Sequence, residues 1–113
     1  MDPMLLGETI SSSAAAITHF GFWMPSGGSS GVAAVEMFRI SAANHYQVYM
    51  VTKSSNQVDS DQEEIGDVVI NSTTPGVFKF DVSGARDLVR YKVKSAAAAS
   101  IHLQFAQPLW APN

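Results

Sequence analysis

The chain has no cysteine. Disulfides, thiolate nucleophiles and cysteine-ligated zinc are therefore excluded, and a reducing compartment fits. Charge is also scarce. Asp, Glu, Lys and Arg make up 15% of the 113 residues, against about a quarter in ordinary soluble domains. Either a partner covers part of the surface, or the surface is bland and neutral. There is no basic excess: seven Lys and Arg face ten Asp and Glu, for a net charge of −3. A nucleic-acid binder carries a basic footprint that this chain lacks. No apolar run approaches the roughly 20 residues that a membrane-spanning helix needs. The start, Met1-Asp2-Pro3-Met4-Leu5-Leu6, lacks the basic head and long apolar core of a signal peptide, so these residues are expected to be retained.

What the chain has is alternation. Phe78, Phe80 and Val82 alternate with Lys79 and Asp81. Val89, Tyr91 and Val93 alternate with Arg90, Lys92 and Lys94. Ile101, Leu103 and Phe105 alternate with His102 and Gln104. Side chains change face at every residue of a strand, so Gly76 to Phe105 reads as three half-buried strands in a row on an antiparallel sheet. Ser83-Gly84 and the segment 95–100 separate them, and Ala96 to Ala99 also fits one helical turn.

Further strands are expected at Ala14 to Trp23, Val32 to Ile40, His45 to Lys53 and Ile65 to Asn71. Residues 4–10 form a short edge strand or an arm. Ala14 to Trp23 carries aromatics on both faces, which implies either cover on both sides or a partner against one face. In Val32 to Ile40, Ala34, Phe38 and Ile40 share a face with Glu36, and a helix is the rival reading. Met24 to Gly31, with Pro25 and three glycines, reads as a flexible loop. A phosphate cradle there would need a lysine close behind, and the next is Lys53. Seven or eight strands at roughly ten-residue spacing argue for an all-β antiparallel sandwich, jelly-roll-like because the loops are uneven. A core forms at this length without metals or disulfides. One domain, 1–113, is expected, with an N-terminal arm 1–13 and a C-terminal tail 106–113.

Candidate sites are few. Asp59, Asp61 and Glu63 begin like a calcium loop, but Glu64 stands where glycine is required and Ile70 where the last ligand belongs, so a solvated acidic loop is the better reading. His19, His45 and His102 fall on separate strands without short ligand spacing. No Gly-x-Ser-x-Gly elbow accompanies them. No catalytic residue, metal site or cofactor is expected, and the protein reads as a non-enzyme. Arg90, Lys92 and Lys94, with Arg86 nearby, form a basic stripe that either stays solvated or meets a phosphate, an acidic glycan or the acidic segment of a neighbouring copy. His19, Trp23, Tyr49 and Trp110 are candidate contact aromatics, because both interfaces and sugar-binding modules use exposed Trp and Tyr rings.

The runs 78–82 and 87–93 resemble the late strands of many jelly rolls, among them sugar-binding modules and virion surface proteins. The leading expectation is a structural module that self-associates or coats a larger particle such as a virion or phage capsid or tail. Its partners would be further copies or other structural subunits, through Phe20, Phe22, Trp23, Trp110, Arg90, Lys92 and Lys94. Localisation beyond a virion is left open. The alternative is a carbohydrate-binding sandwich with a glycan stacked on Trp23, Tyr49 or Trp110. A small enzyme with a histidine base comes third.

Overall fold

A computed structural model describes residues 7–11, 18–40, 46–95, 100–106 and 108–111, with the backbone alone at 7–11, 19 and 100. The fold is an antiparallel β-sandwich of two sheets, with 65% of the chain in strands. Ten strands lie among the described residues: β1 Gly7–Ser11, β2 Thr18–Phe20, β3 Met24–Pro25, β4 Ser30–Ile40, β5 Tyr46–Lys53, β6 Glu63–Val69, β7 Gly76–Ser83, β8 Leu88–Ser95, β9 Ser100–Phe105 and β10 Leu109–Trp110.

The first sheet is built around β4. One of its edges pairs with β7 from Ser30 to Met37; the other pairs with β10 at its start and β9 at its end, and β1 extends the sheet beyond β9. The second sheet is built around β8, which pairs with β5 on one side and with β2 and β3 on the other. The outer strand β6 pairs with β5. The three strands read from Gly76 to Phe105 do form, but they are not neighbours in one sheet. β7 and β9 belong to the first sheet and β8 to the second. Their apolar faces meet across the sandwich, so the same alternation serves both layers.

The core follows from that alternation. Ala33, Val35, Met37, Leu103 and Phe105 from the first sheet face Val48, Met50, Val89, Tyr91 and Val93 from the second, all buried. Tyr91 ties the layers together. Its ring stacks on Phe105 with centroids 4.6 Å apart. Its hydroxyl donates to the Ala106 carbonyl at 2.6 Å. It also lies 3.0 Å from the Ala34 carbonyl and accepts the Ala34 N–H at 3.3 Å. Burial holds this phenol well above its ordinary ionisation range.

Several expectations change. The register of β4 shifts between Met37 and Arg39. The extra residue turns Phe38 outward, where it meets His102 at 5.2 Å, and sends Ile40 into the core. The grouping of Phe38 with Ile40 does not hold. Of the long strand expected at Ala14 to Trp23, residues 18–20 are paired, 21–23 leave the strand, and 14–17 lie outside the described residues. So do His45 and Ala96 to Ala99. The glycine-rich stretch is not a free loop: it contains β3, and a Cβ on Gly27 would fall within contact distance of the Trp110 indole. Gly84, at φ +82°, turns the chain between β7 and β8, a conformation glycine adopts without penalty.

Candidate functional site

The outer face of the second sheet carries the polar half of the alternation. Register places Asp67 of β6, Tyr49 of β5, Lys92 of β8 and Phe20 of β2 in one row across four strands. The next row holds Glu64, Val51 and Arg90. β6 takes an extra residue opposite the Met50–Val51 step, which sets the register of Glu64 in that row.

Arg90 is the centre of the arrangement. Its guanidinium carbon lies 4.0 Å from the Phe20 ring centroid and 4.3 Å from that of Trp23. Lys53 Nζ lies 4.8 Å from the Trp23 centroid. Such contacts strengthen when desolvated, and the Arg90 and Lys53 side chains are only 12% and 11% exposed. Burial lowers the Arg90 pKa from its ordinary value, and nearby Asp59 partly opposes that. Arg90 Nη2 donates to Gln62 Oε1 at 2.9 Å, while its buried Nε has no partner among the described residues.

A short 3₁₀ turn, Asp59–Asp61, caps this cluster. Asp59 Oδ1 accepts the Trp23 indole N–H at 3.1 Å and the Lys53 ammonium at 2.7 Å, and Oδ2 lies 3.8 Å from Arg90. The Lys53 hydrogen bond, ahead of the Lys53 and Arg90 charges, holds the Asp59 carboxyl below its ordinary range. At the other end, Lys92 Nζ lies 5.1 Å from the Tyr49 centroid and 2.8 Å from Glu64 Oε2. Gln47 Nε2 donates to Asp67 Oδ2 at 2.5 Å. Desolvation, followed by the Glu64 and Asp67 charges, raises the Tyr49 pKa.

Five of the residues singled out in the sequence, Phe20, Trp23, Tyr49, Arg90 and Lys92, therefore meet on one face. Lys94 lies two residues along β8, exposed, and Phe22, next to Trp23 in the chain, is 68% exposed. Trp110 is elsewhere. It sits on β10 of the first sheet, beside an open depression of ≈ 460 Å³ lined by Gly31, Val82 and Leu109 among others. His102 sits on the first sheet, and His19 is opposite Val93 in the second. Among the described residues no His and carboxylate cluster has metal-binding geometry. The sequence reading missed Asp59, Gln62, Glu64 and Lys53 as parts of this face. The available signal was the matching of an acidic run to a basic stripe. Such a match is made within the chain: Arg86 meets Glu63 at 2.5 Å, and Lys92 meets Glu64.

No protein-family model matches the chain, and no curated protein matches it in sequence. Among solved structures it resembles a family 29 carbohydrate-binding module from Piromyces equi, at 11% identity and a TM-score of 0.53, over 88% of this chain and 69% of that one. A second is the module CBM6cm-2 of Cellvibrio mixtus lichenase 5A, solved with cellotriose, at 13% identity and a TM-score of 0.47, over 92% and 87%. The fold shared with the Piromyces module is the β-sandwich. The expectation of a self-associating coat or capsid module is corrected: the fold likeness is to the Piromyces module, which leaves the virion reading without support. The homo-oligomer and virion assignments gain no support either. Phe20, Trp23, Arg90 and Lys92, assigned there to subunit contacts, make their contacts inside one chain.

Proposed function

We propose that the protein is a non-catalytic carbohydrate-binding module. Its binding face is the outer surface of β2, β8, β5 and β6, with Tyr49 and Trp23 as ring platforms. One observation carries this reading: Trp23, Phe20 and Tyr49 stand on a single sheet face, each beside a cation that is itself held by a carboxylate. A pyranose has a flat C–H face and a rim of hydroxyls. Aromatic rings complement the first, and fixed donors and acceptors the second. The fold likeness to a carbohydrate-binding module supports the same reading.

The test is calorimetry and tryptophan fluorescence against a panel of oligosaccharides. Trp110→Phe leaves Trp23 as the sole tryptophan emitter, because the chain has two tryptophans. A bound sugar is expected to shift or quench Trp23 emission. Tyr49→Ala is expected to weaken binding about tenfold or more, in the range of an aromatic platform contact. A panel with no binder removes the proposal.

A further inference from the structure

We propose that this face takes an extended, uncharged oligosaccharide in preference to a uronic-acid or sulfated one. The inference rests on the sugar-binding reading above and concerns which sugars that face accepts.

The first argument is charge. Lys53, Arg90, Lys92 and Lys94 are the cations of the face, and Asp59, Glu64 and Asp67 its carboxylates. Lys53 and Arg90 converge on Asp59, and Lys92 on Glu64. An anionic sugar would have to compete with carboxylates already 2.7–2.8 Å from the lysine ammoniums. It would also bring its own charge close to them, and like charges at short range repel. A neutral sugar meets no such opposition. Adjacent hydroxyls both donate and accept, so one can donate to a carboxylate while the next accepts from the ammonium beside it. Gln47 and Gln62 are held by Asp67 and Arg90 and add neutral amide groups to the same surface. Lys94 is the one cation of the four without a carboxylate in ion-pair reach among the described residues. It lies at the exposed end of β8, away from the Trp23 cluster.

The second argument is length. Asp67, Tyr49, Lys92 and Phe20 share one row across four strands, in the order carboxylate, ring, ammonium, ring. At about 4.8 Å between strands the row is about 14 Å long, more than one pyranose covers. Its two rings are separated by one strand, so a chain laid across the strands meets a ring, a polar group and a ring in turn. An oligosaccharide uses that order and a monosaccharide does not.

The experiment compares cellotetraose, mannotetraose and xylotetraose with tetragalacturonate and a sulfated disaccharide by calorimetry. It is run on the full chain from about 20 mM to about 500 mM NaCl. Expected is a neutral tetrasaccharide bound at least about tenfold more tightly than the acidic probes and than its own monosaccharide, with affinity nearly flat in salt. Glu64→Gln frees the Lys92 charge and is expected to lower the neutral-to-acidic affinity ratio several-fold. Tighter binding of the acidic probes, falling steeply with salt, overturns the proposal while leaving a sugar-binding module. Equal affinity for monosaccharide and tetrasaccharide overturns its length argument. No binding of any probe overturns both this proposal and the sugar-binding reading.

Discussion

Asp59 accepts the indole N–H of Trp23 at 3.1 Å, across 36 residues of sequence. The same carboxylate oxygen binds the Lys53 ammonium, which lies over the Trp23 ring. One group thus fixes both the edge of the ring and a cation at its face. Asp59→Ala removes both anchors. Trp23 emission, read in the Trp110→Phe background, is expected to move to longer wavelength. Sugar affinity is expected to fall roughly three- to tenfold, the range of a lost hydrogen bond plus a loosened platform. Unchanged emission and affinity would mean that Trp23 is held by packing alone.

The same contact gives a pH dependence. Asp59 titrates below the ordinary carboxylate value of 3.8, chiefly because of the Lys53 hydrogen bond. A group whose folded pKa is depressed contributes stability above the unfolded pKa, and loses it as pH falls through the folded value. Trp23 emission is therefore expected to stay flat through neutral and mildly acidic pH and to change only below about pH 4. Asp59→Asn, which keeps the acceptor but not the charge, is expected to remove the acid limb assigned to this group. An equal acid limb in that variant would assign the transition to other carboxylates.

Arg90 is the shared element of the Phe20 and Trp23 contacts, and its planar group also reaches Gln62. Lysine keeps the charge but not the flat guanidinium that faces both rings. Arg90→Lys is expected to cost about 1–2 kcal/mol in stability, in the range of a desolvated cation–π contact and a hydrogen bond. Chemical denaturation measures it. Arg90→Met separates shape from charge. It keeps an apolar stem but leaves Lys53 as the sole cation at Asp59, so it should shift the Asp59-dependent acid limb toward higher pH. A variant as stable as the parent, with an unmoved limb, would make Arg90 a spectator of the aromatic cluster.

How much of this was legible in the sequence depends on the range of the information. Alternation is local, so the faces of β7, β8 and β9 could be read from residues 78–105, and the sandwich followed. Which strand lies beside which is not local. Arg90 and Lys92 could be seen as a stripe, but their partners Gln62 and Glu64 are 28 residues earlier in the chain, on a turn and a strand that only the fold brings alongside β8. Phe38 and Ile40 share a parity, and a register shift that parity cannot reveal separates them. Trp23 and Tyr49 were already candidate contact aromatics, so the aromatic half of the site was partly visible. Its carboxylate half lay in a segment read as a solvated loop.

Tyr91 tests the seam between the sheets. Its hydroxyl bonds the backbone at Ala34 and Ala106 from the opposite layer. Tyr91→Phe keeps the stack on Phe105 and removes the hydroxyl's bonds to Ala34 and Ala106, while the Ala34 carbonyl keeps the Ala106 N–H at 3.0 Å, with an expected loss of about 1–3 kcal/mol. That corresponds to a fall in Tm of roughly 5–15 °C. The sign with pH is opposite to that of Asp59. The buried phenol ionises far above the unfolded value of 10.0. Its stability contribution is therefore complete below that value and declines as pH rises beyond it, because only the unfolded chain loses the proton. Thermal melts at alkaline pH should show a shallower decline for Tyr91→Phe than for the parent. Parallel declines would assign the alkaline loss to other groups.

The glycines at 27 and 31 provide the last test, because they make room for the C-terminal strand. A Cβ on Gly27 would overlap the Cδ1 and Cγ atoms of Trp110, and one on Gly31 would overlap the Leu109 carbonyl. Neither position lies in the left-handed region, so the requirement is for space and not for backbone freedom. Trp110 is half-buried against the core, and β10 holds to β4 by only two paired positions. Gly27→Ala should therefore push the indole out or displace the loop beneath it, with a loss of about 1–3 kcal/mol, as overpacking a filled site does. Gly76, where an added Cβ meets nothing within 4 Å, is the matched control. Gly76→Ala is expected to stay within about 0.5 kcal/mol of the parent. Denaturation curves compare the two, and emission from Trp110 in a Trp23→Phe background reports the ring directly. If Gly27→Ala loses stability with unaltered Trp110 emission, the loop yields and the ring does not. If it loses neither, the glycines are not what holds β10 in place, and the two backbone pairs with β4 suffice.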